Sequence, residues 1–179
     1  MHRQDLLELL RAYRHFDDDD RSARQRTELF VRRHRDCFER SLAIGHVTAS
    51  AWIVDAARRC VLLTHHRKLD RWLQLGGHVD GSPDVPAAAL REAREESGLT
   101  VVRMVLPGIF DCDVHGIPAH RDEAAHDHYD LRFLLEADSS LPLVVSEESK
   151  DLAWVSFDEV PGLNPDHSML RMLAKTIRT

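Results

Sequence analysis

The 179-residue sequence has no run of eighteen apolar residues, so a spanning helix of ordinary length is not expected. Its first segment, MHRQDLLELLRAY, carries charges at short intervals and lacks an apolar signal core, which argues against a secretory leader. Cysteine is scarce: Cys37, Cys60 and Cys112 are odd in number, widely spaced and without a C-x-x-C pair. That excludes a paired-cysteine zinc or redox motif and fits a reducing cytoplasm. A basic excess is also missing, since 24 Lys and Arg stand against 30 Asp and Glu for a formal net charge of −6. Binding to a nucleic-acid polymer or a membrane is therefore not expected, whereas a small phosphorylated ligand held by a few local cations is compatible. Repeats, low-complexity linkers beyond Asp17 to Asp20, and regular βαβ alternation are all absent.

With 43% hydrophobic residues, a chain of this length buries one substantial core with room for an appendage. Residues 1–42 read as a helical arm. Leu6, Leu9, Leu10 and Tyr13 recur at helical spacing, the acidic run breaks the pattern, and Leu29, Phe30, Arg33 and Cys37 or Phe38 resume it. Such a stripe suits packing on the main domain or on a second copy of the chain, so a homodimer is an expectation. From residue 43 to 179 the texture changes to strands. HVTASAWIVD, RRCVLLTHH, WLQLGG, TVVRMVLPGIFDCDVHG, HYDLRFLLEA and LAWVSFDEV are short and apolar, and HSMLRMLAKTIR closes the chain as a helix with Met169, Leu170, Leu173 and Ile177 on one face. The fold class is α+β, or a three-layer α/β/α sandwich around a mixed sheet.

The stretch LGGHVDGSPDVPAAALREAREESGL concentrates three glutamates within five residues. Asp84 or Ser82 caps a helix predicted over 85–97, Pro83 and Pro86 suit its start, and Gly98 supplies a left-handed stop. At 100° per residue Glu92, Glu95 and Glu96 share about one third of the circumference, while Pro86, Leu90, Ala93 and Ser97 form a packing face. Like charges so close cost a helix a few tenths of a kcal/mol each, which a divalent cation would offset. A plain solvated acidic face, relieved by Arg91 and Glu95, is the alternative. Gly76 and Gly77 permit a close backbone approach to a ligand at the turn before the helix.

This stretch resembles the Nudix box, G-x(5)-E-x(7)-R-E-U-x-E-E-x-G-U with U aliphatic. Gly77, Arg91, Glu92, Glu95, Glu96, Gly98 and Leu99 fall on its positions, with Ala93 as a small stand-in for one U. The pattern's first Glu is replaced by Pro83, so Arg91 needs another partner, Asp80 or Asp84. The flanking strands resemble the family's as well, over roughly residues 43 to 179. The resemblance implies a Nudix sandwich and a hydrolase that cleaves a pyrophosphate bond in a nucleoside diphosphate linked to another moiety. It implies Mg²⁺ or Mn²⁺ on Glu92, Glu95, Glu96 and the Gly76 carbonyl, with a proton acceptor in the box, Glu92 or Glu95, or in the loop at Glu147 or Glu148. A Nudix-like nucleotide sensor without turnover is the alternative, and Pro83 is the feature that favours it.

Outside the box, Arg67 and Arg71, with Lys68, are candidates for neutralising phosphate, and Trp72 for base stacking or rim packing. Glu136 is a candidate further ligand. In HDHYDLRF the two-residue period sends His126, His128, Asp130 and Arg132 to one face. Three readings stay open for that histidine-rich segment: substrate contacts by His128, Asp130 and Arg132, an ordinary hydrated face, or a transition-metal site.

Overall fold

The computed structural model describes residues 3–120 and 124–179; residues 1–2 of the arm and 121–123 of the histidine-rich segment lie outside them. Eleven consecutive buried residues form β1 (Gly45–Asp55). Val47, Ala49, Ala51 and Ile53 join one core cluster, and Trp52 and Val54 join another on the opposite face. A strand buried on both faces needs a covering layer on each side. β2 (Cys60–His66), β3 (Arg71–Leu73), β4 (Leu75–His78), β5 (Val102–Met104), β6 (Asp111–Ile117), β7 (His126–Ala137) and β8 (Ser149–Ser156) complete an eight-stranded sheet. β1 and β7 run parallel from Gly45 opposite Asp127 to Asp55 opposite Ala137. Both central strands divide their outer edge between two partners. β1 pairs with β2 near Ile53 and with β4 from Thr48 to Ala51, while β7 pairs with β6 along its first half and β5 at its end. This splaying curls the sheet and brings β4 against the box helix.

Helices α1 (Gln4–Ala12), α2 (Asp18–Arg33) and α3 (Val85–Ser97) contribute to the first cluster; α4 (Val160–Leu163) and α5 (His167–Arg178) contribute to the second. The result is an α+β sandwich around a mixed sheet. Leu6, Leu7 and Leu10 of α1 and Phe30 and Val31 of α2 lie in the same cluster as β1 and α3. Leu6, Leu10 and Phe30 of the stripe that motivated a homodimer are thus buried within this one chain, whereas Leu9 and Tyr13 are partly exposed.

Several boundaries differ from the sequence expectation. The acidic run starts a helix as well as ending one: Asp17 caps α2 by accepting from the Asp20 N–H at 2.8 Å, and Asp18, Asp19 and Asp20 occupy the first turn, where the helix dipole favours negative charge. α2 stops at Arg33, and the following turns still bury Cys37 and Phe38. Leu29 is 48% exposed, since α2 buries Ala23, Thr27, Phe30 and Val31, and Ile177 is 70% exposed, because the buried face of α5 includes Arg171 and Lys175 instead. The strand expected over WLQLGG breaks at Gln74 into β3 and β4, which pair with different strands. Pro107 and Gly108 interrupt the strand expected over 100–116, which becomes β5 and β6. β8 ends at Ser156, so the last part of LAWVSFDEV turns into α4.

Candidate active site

The box helix has the expected bounds. Asp84 accepts from the Ala87 N–H at 3.1 Å, Pro86 lies in the first turn, and Gly98 ends the helix at φ 72°. Val85, Ala88, Ala89, Ala93 and Ser97 are buried, which turns the acidic face toward the β4 turn at one margin and solvent at the other. Glu96 Oε1 accepts from the Gly76 N–H at 3.2 Å. Glu92 lies against Gly77 so closely that a Cβ there would meet its Oε2 at 2.6 Å. A Cβ on Gly76, at φ 152°, would meet Ser50 Cα and Ala49 O at 2.6 Å. Gly76 is therefore required by backbone contact, Gly77 gives Glu92 room, and the turn seats two carboxylates. The side chain of Glu95 is 63% exposed, against 14% for Glu92, so Glu95 sits at the outer margin.

Arg91 replaces the brace that Pro83 cannot provide. Its Nη2 donates to the His78 carbonyl at 2.7 Å and to Glu92 Oε1 at 2.6 Å, with Asp80 at 3.6 Å. Asp80 is a weak partner at that distance, and Asp84 is engaged as the cap. The loop is also held from the arm, where the Phe38 carbonyl accepts from the Gly81 N–H at 2.9 Å.

Burial pushes Glu96 up to about 8, with Glu92, Glu148 and Glu95 adding repulsion and the Gly76 N–H partly offsetting it. Burial also raises Glu92, against the opposing pull of Arg91. Negative charge here exceeds what Arg91 balances. Of the two loop candidates, Glu148 is the one felt by Glu96. Arg67 shapes that loop: its N–H donates to the Glu148 carbonyl at 2.9 Å, and its guanidinium donates to the carbonyls of Glu147 at 3.0 Å and Ser149 at 2.6 Å.

The remaining candidates lie elsewhere. Arg71 pairs with Asp166 at 2.7 Å before α5, and Glu136 pairs with Arg103 at 2.6 Å on β5. Trp72 stacks on His65 with ring centroids 5.1 Å apart. Asp130 and Arg132 do share a face with His126 and His128, but both are almost fully buried. Arg132 pairs with Asp130 at 2.8 Å and with Asp111 and Asp113 at 3.1 Å each. Asp111 also takes Arg171 at 2.8 Å and Lys175 at 2.6 Å, and Lys175 reaches Asp20 of α2 at 2.6 Å. Four carboxylates and three cations thus interlock α2, β6, β7 and α5. Burial works against the charge of Asp113, but the hydrogen bond to His115 and the nearby Arg132 hold it at about 2. Asp20, Lys175 and Arg171 were missed because each reads locally as a surface residue.

The third reading of the histidine-rich segment gains the most from the register. His46 on β1 stands opposite His128 on β7, His128 stands opposite His115 on β6, and Thr48 stands opposite His78 on β4. Burial, together with the charges His46, His115 and His78 would carry, holds His128 down to about 3, so its ring is neutral at ordinary pH. Neither His46 nor His78 was a sequence candidate. The H at the end of LGGH was the available signal.

A NUDIX domain model matches residues 45–173. Among solved structures, the chain is similar to a C. elegans Ap4A hydrolase (19% identity, 74% of this chain and 95% of that one, TM-score 0.59) and to the E. coli dihydroneopterin triphosphate pyrophosphohydrolase (17%, 74% and 96%, TM-score 0.57). A MutT NUDIX hydrolase from Burkholderia pseudomallei is similar at 26% identity, covering 73% of this chain and 97% of that one, with a TM-score of 0.55. A search of curated proteins finds no match. The matched span includes the glycine turn, the carboxylate helix and the loop of Glu148, and the chain belongs to the Nudix family as an enzyme of the pyrophosphohydrolase type.

Proposed function

We propose that the protein hydrolyses a pyrophosphate bond in a nucleoside diphosphate derivative, with Mg²⁺ or Mn²⁺ held by Glu92, Glu96, Glu95 and the Gly76 carbonyl. The observation that carries this reading is the pair of carboxylates seated on the Gly76–Gly77 turn with Arg91 as their cationic neighbour. The donors are hard oxygens, which suit these ions better than softer ones. The raised Glu96 marks a site that resists its own ionisation and would gain from a cation. A bound ion would polarise the pyrophosphate and lower the pKa of a coordinated water.

The protein's own residues have distinct tasks. Gly76 and Gly77 keep the floor free of side chains, so phosphate oxygens can approach the backbone. Arg91 fixes Glu92 and the loop through the His78 carbonyl. Glu148 takes the proton from the attacking water, and Arg67 sets the course of its loop by binding three carbonyls. Glu147 serves as the comparison residue. Three free thiols suit a cytoplasmic location, and among the described residues no helix is long and apolar enough to cross a membrane.

The test is a panel of nucleoside diphosphate derivatives and dinucleoside polyphosphates with each metal, comparing wild type and Glu96→Gln. Wild type should turn over at least one class, and the variant should lose about a hundredfold to a thousandfold in kcat. A fully active variant would remove Glu96 from the metal site.

A further inference from the structure

We propose a second metal site, for a borderline transition ion of the Zn²⁺ class, formed by the imidazoles of His46, His78 and His128. This goes beyond the hydrolase reading and does not depend on it. One ring nitrogen from each residue lies within 4.8 Å of the others. At that widest separation an ion at the centre would be about 2.8 Å from each nitrogen, and Zn–N bonds of about 2.0–2.1 Å are reached if each ring advances about 0.7 Å. A movement of that size lies within side-chain adjustment and leaves the backbone in place.

The scaffold favours such a site. All three residues are on strands of one sheet, with His46 and His128 held opposite by the parallel pairing and His78 carried in by β4. Ring centroids are 5.0 Å apart for His46 and His78, 4.8 Å for His46 and His128, and 5.4 Å for His78 and His128. His46 is buried and the other two are partly exposed, so the cluster opens to solvent on one side. His126 orients the set. Its Nδ1 is 2.8 Å from the Ala124 carbonyl, which only accepts, so Nδ1 carries a proton and the ring is held in place. The 3.3 Å contact between His126 Nε2 and His128 Nε2 then sets His126 against a ligand ring from outside the site.

The donor types separate this site from the carboxylate cluster. Neutral imidazole selects Zn²⁺, Co²⁺ or Ni²⁺, whereas Mg²⁺ is held by oxygens. Three protein ligands leave a fourth tetrahedral position for water or an anionic oxygen. His78 links the two regions, because its carbonyl accepts from Arg91 while its ring faces His46.

The test uses the full chain freed of any affinity tag and stripped of metal, titrated with Co²⁺ alone. One equivalent should bind with a visible d–d band, which Zn²⁺ displaces and Mg²⁺ does not. His78→Gln combined with His128→Gln should weaken Co²⁺ binding by about a hundredfold or more, while Glu92→Gln with Glu96→Gln should keep the band. Loss of the band in the glutamate variant, or its survival in a folded histidine variant, would overturn the site. Imidazole ¹⁵N resonances of the wild type under Zn²⁺ titration need no substitution. Coordination shifts at His46, His78 and His128 support the site, and unmoved resonances refute it.

Discussion

Two carboxylate clusters in this protein are treated in opposite ways. Asp20, Asp111 and Asp130 are buried, and Asp113 partly so, among Arg132, Arg171 and Lys175, with ion-pair distances from 2.6 to 3.8 Å. Among the described residues Glu92 has one cationic partner, Arg91, and Glu96 has none, and Glu96 is driven toward its neutral form by burial and by Glu92 and Glu148. Charge balanced within the chain holds layers together; charge left in excess on a glycine turn is available to a ligand. The acidic content of each cluster is similar, so the placement of cations distinguishes a structural role from a chemical one.

The largest expected effect comes from breaking the balanced cluster. Asp111→Ala leaves Arg132, Arg171 and Lys175 short of their shared acceptor and should cost about 3–5 kcal/mol in urea unfolding, with turnover per folded molecule nearly unchanged. Glu96→Gln should do the reverse, losing turnover while the metal-free unfolding midpoint holds or rises. A smaller effect sharpens the chemical side. Glu148→Gln should lower kcat by about a hundredfold or more if it is the proton acceptor, whereas Glu147→Gln should stay within about twofold; equal losses would make the loop's shape the shared cause.

Acid should unload the balanced cluster only at low pH, well after Glu96 has taken up its proton. Asp113 titrates at about 2 in the fold against 3.8 ordinarily, and Asp20 and Asp130 are lowered too. A depressed carboxylate stabilises the fold above its unfolded value and loses that contribution as pH falls through the folded one. Urea midpoints should therefore drop between about pH 4 and pH 2, and by less in Asp113→Asn. His115 has the opposite sign. Burial opposes its protonation, but the Asp113 hydrogen bond and the charges of Asp130 and Asp113 together outweigh it and raise the pKa, so that contribution fades as pH rises through the raised value. The smallest effect is at the cap: Asp84→Ala should cost about 1 kcal/mol by thermal unfolding and loosen the start of the carboxylate helix.

The parts that were legible in the sequence are those governed by near neighbours. Asp84, Pro86 and Gly98 set the bounds of α3 through turns and caps, and Glu92, Glu95 and Glu96 follow from helical spacing. His126, His128, Asp130 and Arg132 were likewise placed on one face by a two-residue period. Their partners were not legible. Arg132 read as a phosphate contact because Asp111 lies 21 residues away and Arg171 lies 60 residues from Asp111. The buried face of α5 was misjudged for the same reason, since Arg171 and Lys175 are covered only when distant carboxylates receive them. His46 meets His128 through a parallel pairing and His78 through a split strand edge, neither of which has a local signature.

The bond between Lys175 and Asp20 closes a span of 155 residues. Joining chain ends so far apart carries a large entropic cost before any contact repays it. Asp20 sits beside the first strands in sequence, yet its charge must stay hydrated until the last helix arrives with the ammonium that matches it. Docking of the arm onto the sheet is thus expected to be among the last steps of folding, timed by α5 rather than by the arm's own neighbours.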